Sequence, residues 1–217
     1  MTSDSGDCLL SVRGLTLPPS ARSGSAPILF QLGPSGTVWI TGSSGIGKTT
    51  ILRTLARLNE SSGVEVFLDG VSWARIPSMQ WRKRVVYLHQ KPVLFRGTVL
   101  ENLEKAFSFR CRSSERLDLK SVQALLSRLL LDSDVLSEDA RLLSVGEGAR
   151  VALVRSLAVN PQILLLDEIT AALDPRTRDE VVSLLKEWLL SGRRGIVGVS
   201  HDDYVKQVLT GREIFLG

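Results

Sequence analysis

Apolar residues along the 217-residue chain fall in short runs, separated by stretches with helical spacing. Four-residue, mainly apolar runs are typical of strands buried on both faces of a parallel sheet, and they occur at residues 38–41, 85–88, 163–166 and 196–199. Further strands are predicted at residues 9–13, 28–32, 64–68 and 214–216. Residues 49–59 are predicted to form a helix with one apolar face. That face consists of Ile51, Leu52, Leu55 and Leu58. Strands alternating with helices predict an α/β fold with a mostly parallel sheet.

Cap and loop residues mark the ends of these elements. Residues 18–27 are rich in Pro, Ser and Gly and are predicted to form a loop. Asp174 followed by Pro175 predicts the start of a helix, because Asp caps a helix and Pro fits its first turn. Residues 91–157 are predicted to be mainly helical, with a polar stretch at residues 108–115.

The amino-acid composition and the net charge limit the classes of protein to which the chain can belong. The hydrophobic fraction of 43% and the charged fraction of 23% are ordinary for a globular domain. A net charge of +4 is too small to indicate a nucleic-acid partner, and none is expected. The basic clusters at residues 82–84 and 110–116 are interpreted as solvated surface, with a docking face for anionic lipid or a partner as the alternative.

Targeting and redox signals are weak. The N-terminus lacks a signal-peptide pattern, and no apolar run approaches the ~18 residues of a membrane span. Cys8 and Cys111 occur in unrelated contexts, so neither a disulfide framework nor a metal site is expected. We therefore expect a cytoplasmic protein whose role at a membrane, if it has one, comes through a partner.

A glycine-rich segment at residues 42–49 carries the clearest chemistry. It reads Gly-Ser-Ser-Gly-Ile-Gly-Lys-Thr and fits G-x-x-x-x-G-K-[ST] at every fixed position. A strand precedes it and a helix follows, which favours a phosphate-binding loop over a chance glycine-rich turn. Lys48 should reach the β- and γ-phosphates of a nucleotide, and the Thr49 hydroxyl should ligate Mg²⁺. The predicted ATP ligands are Gly42, Ser43, Ser44, Gly45, Ile46, Gly47, Lys48, Thr49 and Thr50.

Two adjacent carboxylates complete the predicted site. Asp167 ends a buried strand, and its position at the carboxyl end of a parallel strand should bring it beside the phosphate loop. There it can hold Mg²⁺ directly or through water. Glu168 should point elsewhere and face the attacking water. The alternative is a solvated acidic turn.

Five motifs, occurring in family order over about residues 9–216, resemble the nucleotide-binding domain of ABC transporters. They are the phosphate loop, Gln90 as the Q-loop, Leu-Ser-Val-Gly-Glu at residues 143–147 as the signature, the acidic pair followed by Ala172-Leu173-Asp174 as the D-loop, and His201 as the switch histidine. The resemblance implies a P-loop NTPase core with an antiparallel N-terminal β subdomain and an inserted helical subdomain. It also implies one domain, with residues 1–90 and 158–217 as the core and about residues 91–157 as the helical part.

The same resemblance assigns roles. It implies ATP and Mg²⁺ as cofactors, with Lys48, Gln90, Glu168 and His201 as catalytic residues. The implied metal ligands are Thr49, Gln90 and Asp167. A homodimer is implied, in which Ser144 and Gly146 of one chain complete the ATP site of the other. A membrane permease is expected to dock near residues 90–98, which would hold the protein at the inner face of the cell membrane.

Three departures from the family pattern are visible. Val145 replaces the first glycine of the signature, and a valine there requires an ordinary backbone conformation. Residues 15–22 contain no aromatic side chain to stack on adenine. Ile169 stands where most of the family has proline, which, with the short N-terminus, resembles the small FetA-type iron-export ATPases.

Two other functions stay open at this stage. One is a soluble ABC-type ATPase that acts on DNA, ribosomes or Fe–S assembly. However, 217 residues leave no room for the coiled-coil insertion or the second nucleotide domain of such proteins. The other is a binding-only module, which the intact Lys48, Asp167, Glu168 and His201 disfavour. The chain is expected to work as a separate subunit without a fused membrane domain.

Overall fold

The computed structural model describes residues 7–16, 27–61, 63–108 and 115–216. The described strands are, in chain order, β1 (Leu10–Leu15), β2 (Ile28–Leu32), β3 (Gly36–Gly42), β4 (Glu65–Leu68), β5 (Val71–Ser72), β6 (Val85–Leu88), β7 (Ile163–Asp167), β8 (Gly195–Val199) and β9 (Arg212–Leu216). The described α-helices are α1 (Lys48–Leu55), α2 (Ser78–Arg84), α3 (Val99–Glu104), α4 (Leu119–Arg128), α5 (Val145–Ala158), α6 (Pro175–Leu190) and α7 (Asp203–Val208).

A parallel sheet with the strand order β6-β7-β8-β3-β9 forms the centre of the fold. Every residue of β7 and β8 is buried, as expected of central strands covered on both faces. A second, antiparallel sheet has the order β2-β1-β4-β5. The prediction of an α/β fold, with a mostly parallel sheet and an antiparallel N-terminal part, is therefore confirmed.

The central sheet separates two hydrophobic clusters. Successive side chains of a strand point to opposite faces, so neighbours on β7 enter different clusters. Leu164 and Leu166 pack with α3, α4, α5 and α6, whereas Ile163 and Leu165 pack with α1 and the antiparallel sheet. Among the described residues, the helices of residues 91–157 thus share their core with α6. The predicted division into a core and a helical subdomain stays a prediction.

Helix α1 is shorter than its apolar spacing predicted. It ends at Leu55, and Arg57 has a φ of 55°, which an α-helix cannot continue through. The Arg57 guanidinium donates hydrogen bonds to the carbonyl oxygens of Trp73 and Ile76, which fixes the chain in this turn. Leu58 consequently leaves the buried face and is 49% exposed. The expectation that the helix extends to residue 59 was wrong.

Some predicted features fall outside the described residues, namely Cys111 and, apart from Pro27, the loop at residues 18–27. Cys8 is a free thiol. Within the ranges that the structure covers, no helix combines the length and the apolar character that crossing a membrane requires.

Candidate active site

The glycine-rich loop joins the end of β3 to the first turn of α1. Gly42, Gly45 and Gly47 have φ values of 143°, 78° and 108°, a region that residues with side chains rarely adopt. At residue 42 an added Cβ would also lie 2.6 Å from the Leu216 carbonyl oxygen. Gly47 occupies the N-cap position of α1 without a side-chain cap. The loop therefore leads into a helix N-terminus that is suited to binding an anion.

Lys48 is the first residue of α1, and its side chain is bound within the loop. It is only 8% exposed, and its ammonium group donates to the carbonyl oxygens of Gly42 at 2.9 Å and Ser43 at 3.0 Å. An ammonium group has three N–H donors, so a third remains for a ligand. Ser43 and Ser44 are exposed, whereas Ile46 is buried in the core and anchors the loop.

Asp167 ends β7, and Tyr87 on the neighbouring β6 holds its carboxylate. The Tyr87 hydroxyl donates a hydrogen bond of 2.8 Å to Asp167 Oδ2. Burial, followed by this carboxylate, raises the pKa of the Tyr87 phenol well above its ordinary value. The phenol therefore stays protonated and is a constant donor. Asp167 is 3% exposed, as predicted for a carboxylate at the end of a buried strand.

Glu168 brings together two residues that lie far apart in sequence. Its Oε2 accepts a hydrogen bond of 3.1 Å from Gln90 Nε2, and its Oε1 lies 3.3 Å from His201 Nε2. Glu168 has a φ of 50°, and its backbone N–H donates to the Val199 carbonyl oxygen on β8. The two adjacent carboxylates have different partners, since Asp167 accepts from Tyr87 and Glu168 accepts from Gln90.

The three predicted metal ligands carry oxygen groups of the kind that Mg²⁺ prefers. A carboxylate, a hydroxyl and an amide oxygen are available from Asp167, Thr49 and Gln90, and hard oxygen ligands are those that Mg²⁺ prefers. Because Gln90 donates through Nε2, its Oε1 is left to accept or ligate. The described residues contain no group of three or more His, Cys, Asp or Glu that could hold a metal ion. An ion here would therefore take further ligands from a nucleotide and from water.

A comparison with known protein families supplies the remaining evidence. The model of the family described as "ABC transporter" matches residues 26–171 of the chain. The chain belongs to the ABC transporter family. The match includes the phosphate loop, Gln90, the signature segment and both carboxylates, so the predicted resemblance is confirmed.

Curated relatives carry names with different substrates. The chain is 40% identical over 171 residues to "ABC transporter I family member 17" of Arabidopsis thaliana. This match covers 79% of the chain and 63% of that protein. It is 32% identical to the "Probable iron export ATP-binding protein FetA" of Escherichia coli (strain K12), over 83% of the chain and 80% of that protein. It is 30% identical to a "Putative peptide import ATP-binding protein" of Brucella ovis, over 96% of the chain and 69% of that protein.

Solved structures support the fold. "Structure of cbiO1 from clostridium perfringens: Part of the ABC transporter complex cbiONQ" superposes with a TM-score of 0.76 at 24% sequence identity. The superposition covers 96% of this chain and 84% of that one. The chain spans 63% of the length of the Arabidopsis relative.

The signature segment of this ABC domain begins α5. Ser144 caps the helix, since its hydroxyl accepts a hydrogen bond of 3.2 Å from the Glu147 N–H. Glu147 in turn accepts from the Ser144 N–H and hydroxyl, and these bonds lower the pKa of its carboxyl. Val145 lies in the first helical turn with an ordinary φ, as its side chain requires. An added Cβ at Gly146 would lie 3.4 Å from the Ala172 carbonyl oxygen of the D-loop.

Sequence reasoning overlooked Tyr87. Its position was visible only as part of an apolar strand, although it lies one residue before the carboxyl end of β6. Parallel pairing of β6 with β7 places it opposite Leu165, whose side chain shares a sheet face with that of Asp167. The pairing of the two strands would have been the signal. The roles assigned from the sequence to Lys48, Gln90, Glu168 and His201 stay predictions.

Proposed function

We propose that the chain binds and hydrolyses MgATP as the ATP-binding subunit of an ABC transporter. The observation that carries the proposal is the Glu168 carboxylate. It contacts both Gln90 and His201 beside the metal-ligand candidate Asp167. Three motif residues from separate parts of the chain thus meet at one carboxylate, which is the arrangement that a water-activating group needs.

Phosphoryl transfer depends mainly on positioning and on neutralising charge. The loop of residues 42–49 and the N-terminus of α1 would hold the phosphates, and Lys48 would supply a positive charge to the β- and γ-phosphates. Mg²⁺, bound through Thr49, Asp167 and the Gln90 amide oxygen, would neutralise phosphate charge. Glu168 would accept a proton from the attacking water, and His201 would orient the γ-phosphate while holding Glu168 in place.

A second copy of the chain would complete the site. The signature end of α5 is exposed, since Ser144 lies at the surface and the flanking apolar residues Leu142 and Val145 are 81% and 60% exposed. Apolar side chains exposed beside a helix N-terminus favour an interface there. We infer that Ser144 and Gly146 contact the γ-phosphate bound by the partner copy, so that ATP closes a homodimer and hydrolysis opens it.

The docking site for a permease would be the Q-loop cleft, a groove of about 390 Å³. Its lining includes Arg53, Leu58, His89, Pro92, Val93 and Arg155. Val93 is 58% exposed and Leu58 49% exposed, and none of the described lining residues is acidic. Such a lining fits a cytoplasmic segment that carries apolar side chains and a carboxylate. This position adjoins Gln90 and would keep the protein at the inner face of the cell membrane.

The transported substrate would be a metal ion, with export as the direction, on the basis of the FetA-like sequence. The alternative is an ABC-type ATPase that acts on a partner outside transport. The Q-loop cleft favours transport, because it offers apolar contacts next to the catalytic Gln90. Transport would be supported if the wild type co-purifies with a multi-span membrane protein and Val93→Asp does not. Capture of a soluble partner alone would support the alternative.

The catalytic assignment can be tested with Glu168→Gln. This change keeps the size and a hydrogen-bonding group but removes the charge that would accept a proton. ATP hydrolysis should fall by at least about 100-fold, the usual contribution of a general base, while ATP binding persists and a dimer accumulates. Glu65→Gln, at an exposed position on β4, is the matched control and should hydrolyse ATP normally. Near-normal turnover in Glu168→Gln would contradict the assignment.

A further inference from the structure

Tyr87 connects two strands at the point where the predicted metal ligand emerges. Its ring lies opposite Leu165 in the β6–β7 pairing, and its hydroxyl reaches two residues along β7 to Asp167 Oδ2 at 2.8 Å. Asp167 is 3% exposed, so bulk water has little access to its carboxylate. The Tyr87 hydroxyl is therefore placed to orient this carboxylate.

We propose that Tyr87 is a positioning residue that orients Asp167 for Mg²⁺, an inference that rests on the proposed function. By occupying Oδ2, the phenol fixes the rotation of the carboxylate and leaves Oδ1 for the ion or its water. Groups that hydrogen-bond to a metal ligand in this way fix its orientation and tune its affinity for the ion. Tyr87 itself contacts neither the ion nor the nucleotide.

The same side chain also forms part of the proposed docking surface. Tyr87 lines the Q-loop cleft, and its ring meets that of His89 edge to face at 5.9 Å. A segment that fills the cleft would pack against a ring whose hydroxyl holds Asp167. Tyr87 thereby connects the cleft to the predicted metal ligand Asp167 independently of Gln90.

The test uses Tyr87→Phe, which keeps the ring and removes only the hydroxyl. ATP affinity is measured by calorimetry, first in EDTA and then over a series of Mg²⁺ concentrations. The affinity in EDTA should match that of the wild type. The Mg²⁺ concentration that gives half of the metal-dependent gain in affinity should rise about 10-fold, the lower end of the effect of losing such a partner.

Tyr204→Phe is the matched control, because the Arg178 guanidinium packs over the Tyr204 ring at 4.4 Å and Tyr204 is not among the residues predicted to bind ATP or Mg²⁺. It should leave the Mg²⁺ dependence unchanged. If Tyr87→Phe binds ATP with the wild-type Mg²⁺ dependence, the positioning role is overturned, even where thermal stability falls. If the wild type itself shows no Mg²⁺-dependent ATP affinity, the proposed function fails as well. A higher Mg²⁺ concentration for half of the gain in ATP affinity in Tyr87→Phe, but not in Tyr204→Phe, supports the inference.

Discussion

Asn102 on α3 holds the segment that follows Gln90, and its removal should loosen that segment measurably. The side chain is 1% exposed and makes three hydrogen bonds. Its Oδ1 accepts from the Phe95 N–H at 2.7 Å, and its Nδ2 donates to the carbonyl oxygens of Phe95 at 3.0 Å and Thr98 at 2.9 Å. Each such bond contributes about 1 kcal/mol net. Asn102→Ala should therefore lower the free energy of unfolding by about 3 kcal/mol.

Urea denaturation measures this loss directly, and thermal melting should show a decrease of about 6–12 °C for a domain of this size. Hydrogen exchange supplies a local check, because the Phe95 amide should lose its protection in Asn102→Ala. Asn59→Ala, at a half-buried loop position outside this network, is the control and should change stability by less than about 0.5 kcal/mol. A loss below about 1 kcal/mol with the Phe95 amide still protected would refute the reasoning.

Three further experiments test the nucleotide site. Lys48→Ala should weaken ATP binding by at least about 10-fold, because a charge-assisted contact is lost, and an unchanged calorimetric affinity would exclude the phosphate role. Ser144→Arg and Glu168→Gln should each abolish hydrolysis. Mixing the two proteins should restore hydrolysis, since a mixed dimer contains one intact shared site. If mixing restores no hydrolysis, the site is not shared. Glu147→Gln keeps a hydrogen-bonding cap but removes a negative charge beside Ser144. ATP should therefore produce a larger fraction of dimer than in the wild type, as measured by light scattering. An unaltered dimer fraction would count against repulsion between Glu147 and the phosphate.

The sequence predicted the features that depend on local pattern. Strand runs such as residues 85–88 and 28–32 match β6 and β2, because burial on one or both faces imposes apolar residues at known intervals. The helix start at Asp174 was found because capping needs specific side chains. Helices α2 and α7 were missed, because seven and six residues are too few for a periodic apolar face to be visible.

Contacts between distant segments could not be predicted in the same way. Family order placed Gln90, Glu168 and His201 in one site, but their meeting at a single carboxylate depends on side-chain geometry that no local pattern carries. Tyr87 was hidden for a related reason, since its significance comes from strand pairing. Arg57 ends α1 through contacts with residues 73 and 76, and a helix-compatible spacing gives no sign of such a tertiary stop.

The capping box of α5 has a consequence for the closure of the proposed dimer. Glu147 occupies the N–H and hydroxyl of Ser144, which are the same groups that the partner's γ-phosphate would need. A carboxylate whose pKa is lowered by these bonds is ionised at neutral pH, so it would repel the incoming phosphate. Closure of the proposed dimer would therefore have to move Glu147 away from Ser144 or exchange its bonds for phosphate contacts. The capping box satisfies the start of α5 and occupies the groups of Ser144 that the proposed shared site would use.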